Sequence, residues 1–136
     1  MSMKYSGVQR REYLTMLDRV GERWLGIFAD DQEFYSTAYW DLLTGIWRTE
    51  KPVRKTDALK FMRAIRSAHT AGKYLDAAIT KGIVEETANP KDARSKLVQL
   101  TPEMRTRLDV FFDTAASEMQ EAYRRISEST SATEES

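Results

Sequence analysis

The sequence contains no cysteine and only one histidine, His69. Without cysteine there are no disulfides, no thiol nucleophiles and no cysteine-ligated zinc or iron–sulfur centres. One histidine excludes a two-histidine metal site within a single chain. No G-x-S-x-G nucleophile turn occurs either. Catalytic residues, metals and cofactors are therefore not expected, and an enzyme is not the expected class. No stretch approaches the ~18 consecutive apolar residues of a membrane span. The first residues lack the apolar core of a secretion signal, so a cytoplasmic, bacterial-type soluble protein with no membrane partner is expected. An excess of one charge sign is missing too: 21 basic and 21 acidic residues leave a formal net charge of zero. That excludes a uniformly basic coat for nucleic acid but not a local basic face.

What is present is one domain's worth of chain, 136 residues and 15.7 kDa, long enough to bury a core. The charge is unevenly placed. Residues 1–50 carry a net −2, residues 51–96 a net +6 and residues 97–136 a net −4. On charge alone the basic island fits both a solvated surface and the footprint of a polyanion.

Apolar residues Leu14, Leu17, Val20, Trp24 and Phe28 step by three and four, predicting an amphipathic helix over 8–28. Phe34, Ala38, Leu42 and Trp47 predict a second helix, ended by Pro52. Thr56 is the expected N-cap of a short third helix from Asp57 to about Ile65, burying Leu59, Met62 and Phe61. Ser67 caps a fourth over 68–81, with Ala71, Leu75 and Ala78 inward and Gly82 as its stop. The period then changes. Residues 83–87 and 96–100 read as a β-hairpin with a polar, basic tip. Thr101-Pro102-Glu103 starts a last helix, 102–126. Its seam of Met104, Leu108, Phe111, Ala115, Met119, Ala122 and Ile126 is nearly heptad. From 127 to 136 a disordered acidic tail is expected.

Short helices followed by a two-stranded hairpin describe a mostly α winged helix-turn-helix with a β wing. In such a fold the second helix of the pair enters the major groove. Here that helix presents His69, Thr70 and Lys73 outward.

Three segments then resemble one family. Gly82-Ile83-Val84-Glu85-Glu86, the Asp92-x-Arg94 tip and Leu97-Val98-Gln99-Leu100-Thr101-Pro102-Glu103 look like the wing of MarR-family transcriptional regulators. Trp40-Asp41-Leu42-Leu43 is similar to the family's Trp-x-x-Leu segment, and the likeness covers roughly residues 8–126. At the start of the reading helix, His69-Thr70-Ala71 stands where the family commonly has Ser-Thr-Val.

The resemblance implies a single winged-helix domain over 1–126, flanked by dimerisation helices 8–28 and 102–126 around a DNA-binding lobe, 34–100. It implies a homodimeric, sequence-specific regulator, a repressor on an inverted-repeat operator. Ser67 would lie at the DNA, His69 and Thr70 at base edges, and Lys73, Lys91 and Lys96 at phosphates. Arg94 would reach the minor groove, oriented by Asp92. Leu14, Leu17, Leu108, Phe111, Ala115, Met119 and Ile126 would hold the dimer. Trp24, Phe28, Tyr39, Trp40 and Trp47 would be the candidates for a pocket taking a small aromatic ligand, although such a stripe equally suits a core. A winged helix that binds proteins rather than DNA is the alternative.

Overall fold

A computed structural model of the protein describes residues 3–129. Helix α1 spans Gly7–Gly26. Its start is set by Ser6, whose Oγ accepts from the Gln9 N–H at 3.1 Å while Gln9 Oε1 accepts from the Ser6 N–H at 2.9 Å. This reciprocal pair satisfies two helix-end donors. The helix ends two residues before the expected Phe28, because Ala29 and Asp30 both adopt left-handed backbone, φ 54° and 61°. The Asp30 N–H then closes on the Leu25 carbonyl at 2.9 Å, satisfying a helix-end acceptor.

A short 3-10 turn, Gln32–Phe34, leads to α2, Thr37–Arg48, capped by Ser36. Strand β1, Val53–Arg54, is an element that the sequence pattern did not suggest. It moves the start of α3 forward: the helix is Lys55–Leu59, with Arg54 rather than Thr56 at its N-cap. Beyond Leu59 the expected helix unwinds into turns. Lys60, Phe61 and Met62 each donate a backbone bond three residues back, the tighter geometry of a 3-10 turn. This brings Met62 into the core, where it is buried.

Helix α4 spans Ala68–Thr80, and β2 (Val84–Ala88) pairs antiparallel with β3 (Lys96–Leu100). The register runs from Val84 opposite Leu100 to Ala88 opposite Lys96. Val53 of β1 pairs with Val98, so the sheet order is β1-β3-β2. Gly82, φ +76°, makes the left-handed turn out of α4 that a side chain would resist. Gly45 instead permits a close approach, since a Cβ there would lie 2.6 Å from the Phe61 ring.

Helix α5 runs Pro102–Glu128. Thr101 Oγ1 accepts from the Met104 N–H at 3.3 Å and donates to the Gly82 carbonyl at 3.1 Å. An acidic tail was expected from Ser127, but the helix includes Ser127 and Glu128. Arg124 pairs with Glu121 and, at 2.8 Å, with Glu128, support at three and four residues that prolongs a helix end. The expected tail beyond Ser129 lies outside the described residues.

Two compact units result: one from the residues up to Asp30 together with those from Asp109 onward, the other Asp31–Leu108. In the first, Trp24 packs edge-on against Phe28 at 5.0 Å and Phe111 at 5.4 Å. Gln9, the buried polar residue among those described, donates through Nε2 to the Ile126 carbonyl at 2.9 Å. Arg19 and Arg23 meet Glu118 at 3.7 and 3.4 Å. The second unit buries Phe34, Tyr39, Leu42, Leu43 and Ile46 with Ala58, Met62, Leu75, Val84 and Val98. Each fully buried large side chain contributes about 1.5–3 kcal/mol.

Candidate nucleic-acid interface

The second unit contains the helix-turn-helix and the wing. Helix α4 is amphipathic in the expected sense. Ala71, Leu75 and Ala78 are buried, while His69, Thr70 and Lys73 are exposed. Thr70 and Lys73 lie three apart and so share a face. Ser67 is exposed as well, but its Oγ accepts from the Thr70 N–H at 3.2 Å. It caps the start of α4 and orients its first turn.

The wing tip is shaped by two side chains that hydrogen-bond the backbone two residues on. Asn89 Oδ1 accepts from the Lys91 N–H and Asp92 Oδ1 from the Arg94 N–H, both at 3.0 Å. Asn89 Nδ2 also donates to Ser95 Oγ at 2.9 Å. These are turn-forming Asx contacts. They give Asp92 a part in folding the loop. Its carboxylate also forms an ion pair with Arg94 Nε at 3.7 Å, longer than a hydrogen bond. The Arg94 side chain is 95% exposed. Lys91 and Lys96 are exposed beside it. The structure thus gathers Lys91, Asp92, Arg94 and Lys96 on one hairpin, and His69, Thr70 and Lys73 on one helix face of the same unit.

One group of residues was not legible beforehand. Lys55, at the start of α3, reaches Glu86 on β2 at 2.7 Å and Asp76 on α4 at 3.3 Å. The hydrogen bond to Glu86 holds its ammonium above the ordinary lysine range, against the opposing cost of partial burial. Residues so far apart in sequence leave no local signal. The Asx turns and the Ser6–Gln9 capping box do have one, in Asn-Pro-x-Asp and Ser-x-x-Gln. A second cluster lies at the far end of α4. Lys81 meets Glu33 at 2.6 Å and Asp31 at 3.0 Å, and Tyr39 donates to Glu33 at 3.0 Å. Hydrogen bonds from Lys81 hold both carboxyls below their ordinary range.

The aromatic candidates divide. Trp24 and Phe28 are buried in the first unit and Tyr39 in the second, where it packs against Phe34 and Tyr74. Trp47 is half-buried. Trp40 lines a polar groove of about 340 Å³ with Thr44, Arg48, Lys60, Phe61 and Arg63. The expected dimer seam divides too. Leu108 and Phe111 are already buried in their own chain, whereas Leu14, Leu17 and Met119 are exposed. Ala115 and Ile126 are intermediate.

No protein-family model matches this sequence, and no curated protein sequence matches it. Solved structures do. A mutant of S. aureus MepR bound to an oligodeoxyribonucleotide is 17% identical with TM-score 0.67, covering 96% of this chain and 90% of that one. A mutant of E. coli MarR in complex with operator DNA is 19% identical with TM-score 0.54, over 85% and 80% of the two chains. Bordetella bronchiseptica BpsR, whose DNA binding is regulated by 6-hydroxynicotinic acid, is 20% identical with TM-score 0.50, over 85% and 76%. Further neighbours are described as transcription regulators. The chain has the winged-helix fold of the MarR-type transcriptional regulators.

Proposed function

We propose that this protein is a transcriptional regulator that binds double-stranded DNA with sequence preference, as a homodimer and as a repressor. The observation that carries the reading is α4: a buried inner stripe with His69, Thr70 and Lys73 left on the solvent side. In the same unit the exposed Arg94 and Lys96 stand on the wing. Thr70 and His69 read base edges; Lys73, Lys91 and Lys96 neutralise phosphates; Arg94 enters the minor groove. Two-fold symmetry then demands half-sites about one helical turn apart.

The homodimer is supported by the first unit, which leaves Tyr13, Leu14, Leu17, Met119 and Tyr123 exposed. Large apolar surfaces of this kind mark interfaces. Release by a small aromatic ligand is part of the proposal. Trp40, on the wall of its groove, supports it, and quenching of tryptophan emission on titration with benzoate tests it.

The deciding experiment is binding to random-sequence duplex at low and moderate salt, followed by selection of bound genomic fragments. Affinity that falls steeply with salt, with selected sites showing an inverted repeat, is the expected result. Absence of salt-dependent binding would leave a protein-interaction module instead.

A further inference from the structure

Lys55 stands in neither the reading helix nor the wing. Its ammonium nevertheless joins one to the other, through Asp76 on α4 and Glu86 on β2. The three side chains are unequally covered: 33% exposed for Lys55, 66% for Asp76 and 30% for Glu86. Asp76 lies three residues after Lys73, hence on the same side of α4. Remove the ammonium, and one carboxylate is left on each of two elements that must approach a polyanion. With it in place the group carries one net negative charge, and the ammonium's hydrogen-bonding capacity is turned toward carboxylates rather than outward.

We propose that Lys55 is a positioning residue for nucleic-acid binding, clamping α4 to β2 so that reading helix and wing meet a duplex as one body, without touching phosphate itself. The proposal rests on the regulator reading above. It assigns a cation of the basic island to the opposite of the role its charge suggests. A phosphate ligand contributes to affinity through counterion release and carries about one unit of salt slope. A clamp contributes through geometry and carries none. Its second signature is coupling: residues that act through one another are not additive. Loosening the clamp therefore makes the wing's own contribution smaller.

The test is titration of the full chain with a selected duplex over a salt series, for the wild type, Lys55→Met, Arg94→Ala and the double variant. The set is repeated with Asp76→Asn and Glu86→Gln together. Lys55→Met should weaken binding roughly fivefold, the scale of a well-made ion pair, with the salt slope unchanged. Arg94→Ala should cost less in the Lys55→Met background than in the wild type. Neutralising Asp76 and Glu86 together should abolish most of the Lys55→Met effect. Should Lys55→Met fail to fold by circular dichroism, Glu86→Gln takes its place, with the same expected loss of coupling to Arg94. A salt slope lowered by about one unit, with a loss that persists when both carboxylates are neutralised, would make Lys55 a phosphate ligand and overturn the proposal. Additive effects of Lys55 and Arg94 would overturn it as well. A wild type that binds no duplex defeats the regulator reading and this one together; a wild type that binds while Lys55→Met binds equally defeats this one alone.

Discussion

The two units solve the same burial problem differently. In Asp31–Leu108, α2, α4 and the sheet enclose one another, and Leu42, Leu43, Leu75, Ala78 and Val98 lose all their accessible surface. The unit built on α1 and the later part of α5 has little more than two helices to work with. It covers Trp24, Phe28 and Phe111 but leaves Leu14, Leu17, Val110, Met119 and Tyr123 in solvent. A helix pair has one shared seam, whereas a helix-and-sheet unit has layers. The first unit is thus an unfinished core. The second is finished, and its exposed side chains supply the proposed reading surface.

The sharpest way to break this comparison is by truncation in each core. Leu42→Ala should cost about 2–5 kcal/mol in urea unfolding, because a fully enclosed site leaves a cavity. Leu14→Ala should change the intrinsic stability of the chain by no more than about 0.5 kcal/mol. Leu14→Lys with Met119→Lys should instead shift sedimentation to monomer. Phe111→Lys, by contrast, is expected to unfold the chain, because its ring is enclosed. Equal losses from Leu42→Ala and Leu14→Ala would erase the distinction between the units.

Next in size are the effects on the reading surface. Thr70→Ala should alter the preferred half-site by about 1–3 kcal/mol of discrimination. Lys73→Ala should weaken every sequence alike and lower the salt slope by about one unit. Selected sites that are the same for the wild type and Thr70→Ala would remove α4 as the reader.

Two glycines sharpen the contrast between backbone demand and free space. Gly82→Ala should cost about 1–2 kcal/mol, because φ +76° is left-handed. Gly72 lies inside α4 with nothing within 4 Å of an added Cβ. Gly72→Ala should therefore stabilise by about 0.4–1 kcal/mol in thermal unfolding. A loss of DNA affinity in that variant would mean that a phosphate approaches the helix backbone there.

The smallest expected effect is a pH dependence arising from the Lys81 cluster of the second unit. Hydrogen bonds to Glu33 and Asp31 raise Lys81 above its ordinary 10.5. Burial first, then the bond to Glu33, raises Tyr39 above its ordinary 10.0. Both groups hold their protons longer when folded. Their contribution is complete below those ordinary values and is lost as pH rises through the folded ones. The unfolding temperature should fall on going to strongly alkaline pH, and by less in Lys81→Met. An equal fall in that variant would exclude the Lys81 cluster as its source.

The helices, the hairpin and the inward stripe of α4 were legible because each is written in steps of two, three or four residues. Ser67 and Thr101 were legible as caps because capping acts within three residues. Asp92 shows where such reading stops short. The resemblance implied a charge-assisted hydrogen bond to the Arg94 guanidinium, but a short carboxylate two residues before an N–H reaches that backbone donor at 3.0 Å and meets the exposed guanidinium only as a longer ion pair at 3.7 Å. Strand β1 was invisible for a related reason. Two residues have no period, and Val53–Arg54 is a strand only because Val98 and Leu97 lie opposite.

The sequence by itself determined where the chain turns helical or extended, where the basic charge concentrates and which face of α4 is apolar, since those properties depend on neighbours a few residues away. Only the tertiary structure decided which apolar side chains of α1 and α5 are used up internally and which are left over. Only it decided that α3 stops at Leu59, and that Lys55 faces two carboxylates rather than solvent. Those outcomes depend on which distant segments come together, and pairings such as Lys55 with Glu86 or Gln9 with Ile126 exist only once the chain has closed on itself.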